Sequence, residues 1–171
     1  YHAKTTVYFN GEIQDKYLTR FGIRDIQLTA DEGLLLNGKK VFAQGGNIHH
    51  DLGCVGAVAL KSGYRYRLQK LKEMGCNSLR LSHNPHAPVL LDLCDEMGIL
   101  VISEAYDKWT SQYYGGEVPF KKVWKDDLEK FIKRDRNHPS VYLWSVGNEV
   151  PQQLGDFDKK FETKGDAADF G

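Results

Sequence analysis

The hydrophobic pattern changes character near Gly38. Before it, apolar and polar residues alternate in short runs: Thr5-Thr6-Val7-Tyr8-Phe9, then Tyr17 to Ile23, then Ile26 to Thr29. A repeat of two marks strands with one covered face. Asn10-Gly11 and Asn37-Gly38 punctuate these runs, and both residue types tolerate the positive φ that tight hairpin turns demand. The segment predicts antiparallel β-structure, with too few strands for an independent sandwich.

Beyond Gly38, short apolar runs alternate with helical periodicity. Val41-Phe42-Ala43 predicts a first strand, leading into Gly45-Gly46-Asn47-Ile48-His49-His50-Asp51. Tyr64, Leu68 and Leu71 share one face of a first helix, which Gly75 stops. Asn77 to Leu81 predicts the second strand, followed by Ser82-His83-Asn84-Pro85. Pro88 suits a first helical position, and Val89 to Met97 carries the second helix to Gly98. Ile99 to Ile102 predicts the third strand, leading to Ser103-Glu104-Ala105-Tyr106-Asp107. After a long loop, Trp124, Leu128, Phe131 and Ile132 form the stripe of a third helix that Asn137-His138-Pro139 ends. Val141 opens a fourth strand that runs through Trp144 to Asn148 and Glu149.

Near-continuously apolar strands separated by helices predict parallel pairing, covered by helices on at least one face. Each strand ends in a polar cluster: Asn47/His49/His50/Asp51, Ser82/His83/Asn84, Glu104/Asp107 and Asn148/Glu149. Polar side chains gathered on one rim are the layout of a (β/α) barrel's active face. A doubly wound nucleotide-binding sheet competes, but Gly45-Gly46-Asn47 does not continue as GxGxxG into a helix. Glu149 leaves the core at the end of a buried strand, where surroundings can tune its proton affinity. Its bland alternative is a solvated Glu opening the next helix.

Composition narrows the function classes. The 171 residues can bury a core, and 23 basic against 23 acidic side chains point to neither nucleic acid nor an anionic membrane. Aromatics at 12% argue against disorder. No apolar run approaches membrane-spanning length and no signal peptide opens the chain. The strand-like start at Tyr1 reads as the interior of a longer protein, which leaves the compartment open. Cys54, Cys76 and Cys94 show no CxxC spacing and are expected to be reduced thiols filling core space, not a disulfide frame or a zinc site.

Six motifs occur in order: Phe21-Gly22-Ile23-Arg24, Leu36-Asn37-Gly38-Lys39, His49-His50-Asp51-Leu52-Gly53, Arg80-Leu81-Ser82-His83-Asn84-Pro85, Arg134-Asp135-Arg136-Asn137-His138-Pro139-Ser140 and Trp144-Ser145-Val146-Gly147-Asn148-Glu149. Together they resemble glycoside hydrolase family 2, which includes β-galactosidases, β-glucuronidases and β-mannosidases. The His-His-Asp-Leu-Gly and Ser-His-Asn-Pro forms are most similar to its β-galactosidase-type members. The resemblance implies an α/β chain in two partial domains. Residues 1–38 would be the C-terminal strands of an immunoglobulin-like β-sandwich, and residues 39–171 the N-terminal half of a TIM (β/α)8 barrel. The tail from Pro151 matches weakly and would stop inside the fourth barrel helix.

The implied activity is retaining hydrolysis of terminal β-D-galactosides by two carboxylates about 5–5.5 Å apart. Glu149 matches the general acid/base. The nucleophile belongs to a later strand outside this chain, so the chain alone is expected to be inactive and, with open sheet edges, prone to self-association. Glu104 matches a structural or substrate-shell position. A β-glucuronidase or β-mannosidase specificity stays open, as does a non-catalytic carbohydrate-binding role.

Asn148 matches the amide that binds the hydroxyl beside the anomeric carbon, with a helix cap as the alternative. His83 matches a rim histidine that contacts the sugar, against a buried histidine satisfied by backbone. Neighbours on an extended segment point in different directions, so His49, His50 and Asp51 are expected to supply one or two sugar contacts, not a metal cluster. His50 and Asp51 are the candidates. Asp107 could take sugar hydroxyls and Trp109 the sugar face, or both could pack the loop. Trp144 reads as core or pocket wall, Arg80 as a brace for rim carboxylates or an internal salt bridge, and Arg134 to Arg136 as an exposed helix end. Metal-dependent members place a Glu and a His where Lys108 and Thr110 stand, so neither a metal site nor another cofactor is expected.

Overall fold

A computed structural model describes residues 1–109, 118 and 120–150. Thr110 and the tail from Pro151 to Gly171 lie outside the described residues. Asn10 and Gly11 adopt φ of 51° and 83°, which turns β1 (His2–Phe9) back into β2 (Glu12–Arg20). Asn37 and Gly38, at 52° and 73°, do the same between β4 (Gly33–Leu36) and β5 (Lys39–Lys40), and β4 also pairs with β3 (Ile26–Thr29). The antiparallel segment therefore forms as its turn residues dictate, and its ladder ends at Lys40.

The remainder is a four-stranded parallel sheet in the order β6 (Gly45–His49), β7 (Ser78–Ser82), β8 (Leu100–Glu104), β9 (Val141–Ser145). Between the strands run α1 (Lys61–Glu73), α2 (Pro88–Met97) and α3 (Phe120–Asp135). Each strand adds on the same side of its predecessor. That is the winding of a (β/α) barrel, with none of the order reversal of a doubly wound sheet.

The first parallel strand corrects the expectation. It lies at Gly45–His49, not at Val41-Phe42-Ala43, and Phe42 is 70% exposed. Its sequence is not apolar, and only Ile48 enters the core. Backbone approach decides the placement: a Cβ on Gly45 would lie 1.6 Å from the Ser78 carbonyl oxygen. The Asn77 side chain accepts from the Gln44 N–H at 2.7 Å and donates to the Phe42 carbonyl at 2.9 Å, so the apolar run is an anchored lead-in.

The core forms where helical stripes meet the outward parity of the strands. Tyr64 and Leu68 of α1 and Leu90, Leu91, Leu93 and Cys94 of α2 pack with Leu79, Leu81, Val101 and Val141. Each large apolar side chain buried this way contributes about 1.5–3 kcal/mol. Gly98, at φ 67°, ends α2 and donates its N–H to the Cys94 carbonyl. Of the three thiols only Cys94 is fully in the core. Cys76 is half-buried and Cys54 is exposed in the short turn Gly53–Val55, so the expectation of core-filling thiols fails there.

At the end of α3, Arg134 and Arg136 are exposed as expected, but Asp135 is not. Asp135 is fully buried, takes both Arg134 Nε (2.7 Å) and Nη2 (2.6 Å), and Arg134 Nη2 also donates to the His86 carbonyl at 2.8 Å. The antiparallel segment is fastened to the parallel unit by Arg20, which pairs with Asp92 and, at 3.1 Å, with Asp95. Arg24 adds a bond to the Val141 carbonyl.

Gly45→Ala is expected to destabilise the protein by about 1–3 kcal/mol, because the new methyl forces β6 away from β7. Gly46→Ala, with nothing within 4 Å of its Cβ position, is the control and should cost well under half as much. Thermal unfolding of both variants checks this.

Candidate active site

The rim at the C-terminal strand ends is organised by a buried carboxylate. Glu104 ends β8 and is 1% exposed. Its register partner on β9 is Ser145, whose hydroxyl donates to Oε2 at 2.7 Å. From β7, Arg80 delivers Nε to Oε2 at 2.9 Å and Nη2 to Oε1 at 2.7 Å. His83 Nδ1 lies 2.8 Å from Oε1. A carboxylate this deep is tolerable only when charge-paired and saturated with donors, and here three side chains supply them.

Arg80 also connects outward, with Nη2 2.8 Å from Asn148 Oδ1. Asn148 belongs to the loop after β9, and three consecutive residues after β8 grip that loop. Asp107 accepts the Asn148 N–H at 2.6 Å and, through Oδ1, Asn148 Nδ2 at 2.9 Å. Trp109 Nε1 donates to the Val146 carbonyl at 2.9 Å, and its ring stacks on Phe120 at 5.8 Å. Lys108 Nζ lies 2.9 Å from both Asp107 Oδ1 and Glu149 Oε2.

Two backbone features make this grip possible. A Cβ on Gly147 would sit 2.8 Å from Trp109 Nε1, so glycine lets the indole close over the loop. Glu149 adopts φ 52°, an uncommon region for a non-glycine residue, costing of order 1–3 kcal/mol. Its side chain emerges half-exposed at the rim. Burial opposes ionisation of Asp107, but the bonds from Asn148 and Lys108 and the nearby positive charges outweigh it, so its pKa is lowered. The bonds to Glu149 and Asp107 raise the Lys108 pKa and keep it an ammonium.

The segment that carries these strand ends has known relatives. The profile of "Glycosyl hydrolases family 2, TIM barrel domain" matches residues 26–163. The chain belongs to this family. It is 48% identical over 158 residues to the β-galactosidase BoGH2A of Bacteroides ovatus, covering 91% of this chain and 19% of that protein. It is 40% identical over 153 residues to a putative β-glucuronidase of Formosa agariphila, covering 88% of this chain and 15% of that one. Among solved structures, a glycosyl hydrolase family 2 member from Bacteroides cellulosilyticus superposes with a TM-score of 0.77 at 45% identity, over 85% of this chain and 19% of the other. The chain thus spans about a fifth of the length of such family 2 relatives.

Within this family 2 barrel segment, the structure brings Glu149, Asn148, His83, Asp107 and Trp109 onto one connected rim. His50 and Asp51 turn towards α1 instead. His50 sits edge-on to Tyr64 at 6.3 Å and His86 at 5.2 Å, and Asp51 accepts from the Gly53 N–H at 3.0 Å and Arg67 at 3.4 Å. The rim histidine of that run is His49, whose ring meets His83 edge-on at 5.3 Å. A signal for it existed: Ile48 is the apolar residue of β6, and its burial sends Asn47 and His49 to the other side. Ser145 and Lys108 were missed as rim components, and Arg80 serves as both brace and internal salt bridge. Trp144 packs edge-on against Phe131 at 5.1 Å, as core wall.

Among the described residues, two carboxylate pairs are each bridged by a basic side chain. Among the described residues, Asp92, Asp95 and His138 hold potential ligand atoms within 4.8 Å of one another, but the Arg20 guanidinium pairs with both carboxylates. The rim position between Asp107 and Glu149 is taken by the Lys108 ammonium.

Glu104→Leu leaves Arg80 and His83 facing an apolar side chain and is expected to cost about 3–5 kcal/mol of stability, measured by denaturant unfolding. Glu104→Gln should cost less, because it retains two acceptor sites.

Below the rim, burial pushes the His86 pKa down from 6.5 to about 4, while Nε2 bonds the Ser82 carbonyl at 3.1 Å. A depressed folded pKa means the unfolded chain takes up the proton first. The stability His86 contributes is therefore intact above pH 6.5 and declines as pH falls towards 4. His86→Gln should flatten that part of a stability–pH curve.

Proposed function

We propose that the protein carrying this chain hydrolyses terminal β-D-galactosides with retention, and that Glu149 is its general acid/base. The observation that carries this reading is the fixing of Asn148 and Glu149 at the end of β9 by Asp107 and Lys108, within a family 2 barrel. In the first step Glu149 would give its proton to the glycosidic oxygen as a nucleophilic carboxylate attacks the anomeric carbon. In the second its carboxylate would take a proton from the attacking water. Asn148, its amide orientation set by Arg80 and Asp107, would hold the neighbouring hydroxyl. His83 and His49 would line the sugar, with Trp109 as wall.

The nucleophile would come from a strand other than β6–β9. Glu104, the other glutamate at these strand ends, is saturated by Arg80, His83 and Ser145, which suits a structural anion and not an attacking one. The isolated chain would then bind sugar without turning it over. Its outer strands β6 and β9 would offer unpaired edges for association between copies. A β-glucuronidase specificity is the second reading, favoured by the relative of that name at 40% identity.

In the full-length protein, Glu149→Gln is expected to lower kcat/KM for alkyl β-galactosides by about 10²–10⁴-fold. Aryl galactosides with acidic leaving groups should suffer far less in the first step, and azide should restore turnover by forming the β-galactosyl azide. Unchanged hydrolysis of alkyl galactosides would sink the assignment. A panel of chromogenic β-glycosides separates galactosidase from glucuronidase. Turnover of a nitrophenyl β-galactoside by the isolated chain, abolished by Glu149→Gln, would overturn the external nucleophile.

A further inference from the structure

We propose, on the reading of His83 as a residue that lines the sugar, that His86 is a positioning residue for that contact: its imidazole closes the loop after β7 and so holds His83 at the rim. His86 follows His83 by three residues, yet it is 1% exposed and lies below the rim. The strand end at Ser82 is also fully buried, and in the loop beyond it Pro85 has no N–H with which to close a turn. The His86 side chain closes it, with Nε2 3.1 Å from the Ser82 carbonyl. A carbonyl only accepts, so the proton of the neutral ring stands on Nε2.

Other elements hold His86 in place. His50, from the loop after β6, packs edge-on against its ring at 5.2 Å. Arg134 of α3 donates Nη2 to the His86 carbonyl at 2.8 Å, and two bonds to the buried Asp135 carboxylate fix that guanidinium. The loop is therefore tied at its start to β7 and at its end to α3. Inside this closed span His83 reaches the rim. Its Nδ1 lies 2.8 Å from Glu104 Oε1 and 3.2 Å from Arg80 Nη2, while the ring stays partly exposed. The bond to Glu104 sets where Nδ1 sits. The path of the loop sets where Nε2 points, and Nε2 is the ring nitrogen on the side away from Glu104 that can meet a sugar hydroxyl.

In the full-length protein, His83→Ala is expected to raise KM for a nitrophenyl β-galactoside by about 3–10-fold with kcat little changed, as for a hydrogen bond made in the ground and transition states alike. His86→Leu should raise KM by a similar factor. Adding it to His83→Ala should raise KM no further, because a positioning residue has nothing to act on once its target is gone. His86→Gln places an amide N–H near the position of Nε2 and should bring KM back towards the parent value. His86→Asn stops one bond short and should not. The Asn variant takes the place of His86→Leu, alone and in the pair, if the Leu variant does not fold.

An unchanged KM in His86→Leu, additive losses in the double variant, or Gln no better than Asn would reduce His86 to core packing and overturn the proposal. His83→Ala would still raise KM in that case, so the sugar contact would stand and only the role of His86 would fall. An unchanged KM in His83→Ala would remove the sugar contact and the role of His86 together.

Discussion

The rim depends on the buried pair of Arg80 and Glu104. A carboxylate at the end of β8 with almost no solvent contact is costly to bury unless donors replace water. Arg80 replaces it in two directions at once, and Ser145 and His83 complete the set. The consequence is geometric as well as electrostatic. β7, β8 and β9 are locked at one level of the barrel, and the Arg80 guanidinium, once fixed, has a donor left in reach of Asn148. The position of the loop carrying Glu149 is thus inherited from an ion pair that contacts no substrate in the proposed mechanism.

The grip of 107–109 on 146–149 builds on that base. Side chains of three consecutive residues reach the next loop through a carboxylate, an ammonium and an indole N–H. The redundancy explains how Glu149 is kept at a positive φ that its own side chain disfavours. Gly147 belongs to the same device, because a methyl there would strike the indole that holds the loop. Strain at the carboxylate and tight packing beside it are two sides of one arrangement.

What could be read in the sequence was what local chemistry determines. Asn-Gly pairs placed the hairpin turns, Pro88 and Gly98 bracketed α2, and the Tyr64/Leu68 stripe announced the buried face of α1. The first parallel strand was misplaced because apolar density at Val41–Ala43 outweighed Gly45-Gly46, whose meaning lies in contact with a strand thirty-odd residues away. Asp135 differs from its exposed neighbours for a related reason: the Asp itself gives no sign that its carboxylate is buried beneath Arg134, which reaches the loop after β7. At the site, residue types and rim position were legible. Which member of His49-His50-Asp51 faces inward depended on the parity of Ile48, and the bonds from Lys108 and Ser145 depended on register between strands.

The charge pattern of the assembled rim bears on its chemistry. Two cations, Arg80 and Lys108, face three carboxylates, Glu104, Asp107 and Glu149. With Glu149 protonated the group is neutral, and with Glu149 ionised it carries a single negative charge. Without Lys108 the same two states would carry one and two negative charges. One cation, at Arg80, stabilises the scaffold, and a second, Lys108, is held between Asp107 and Glu149 at the loop surface.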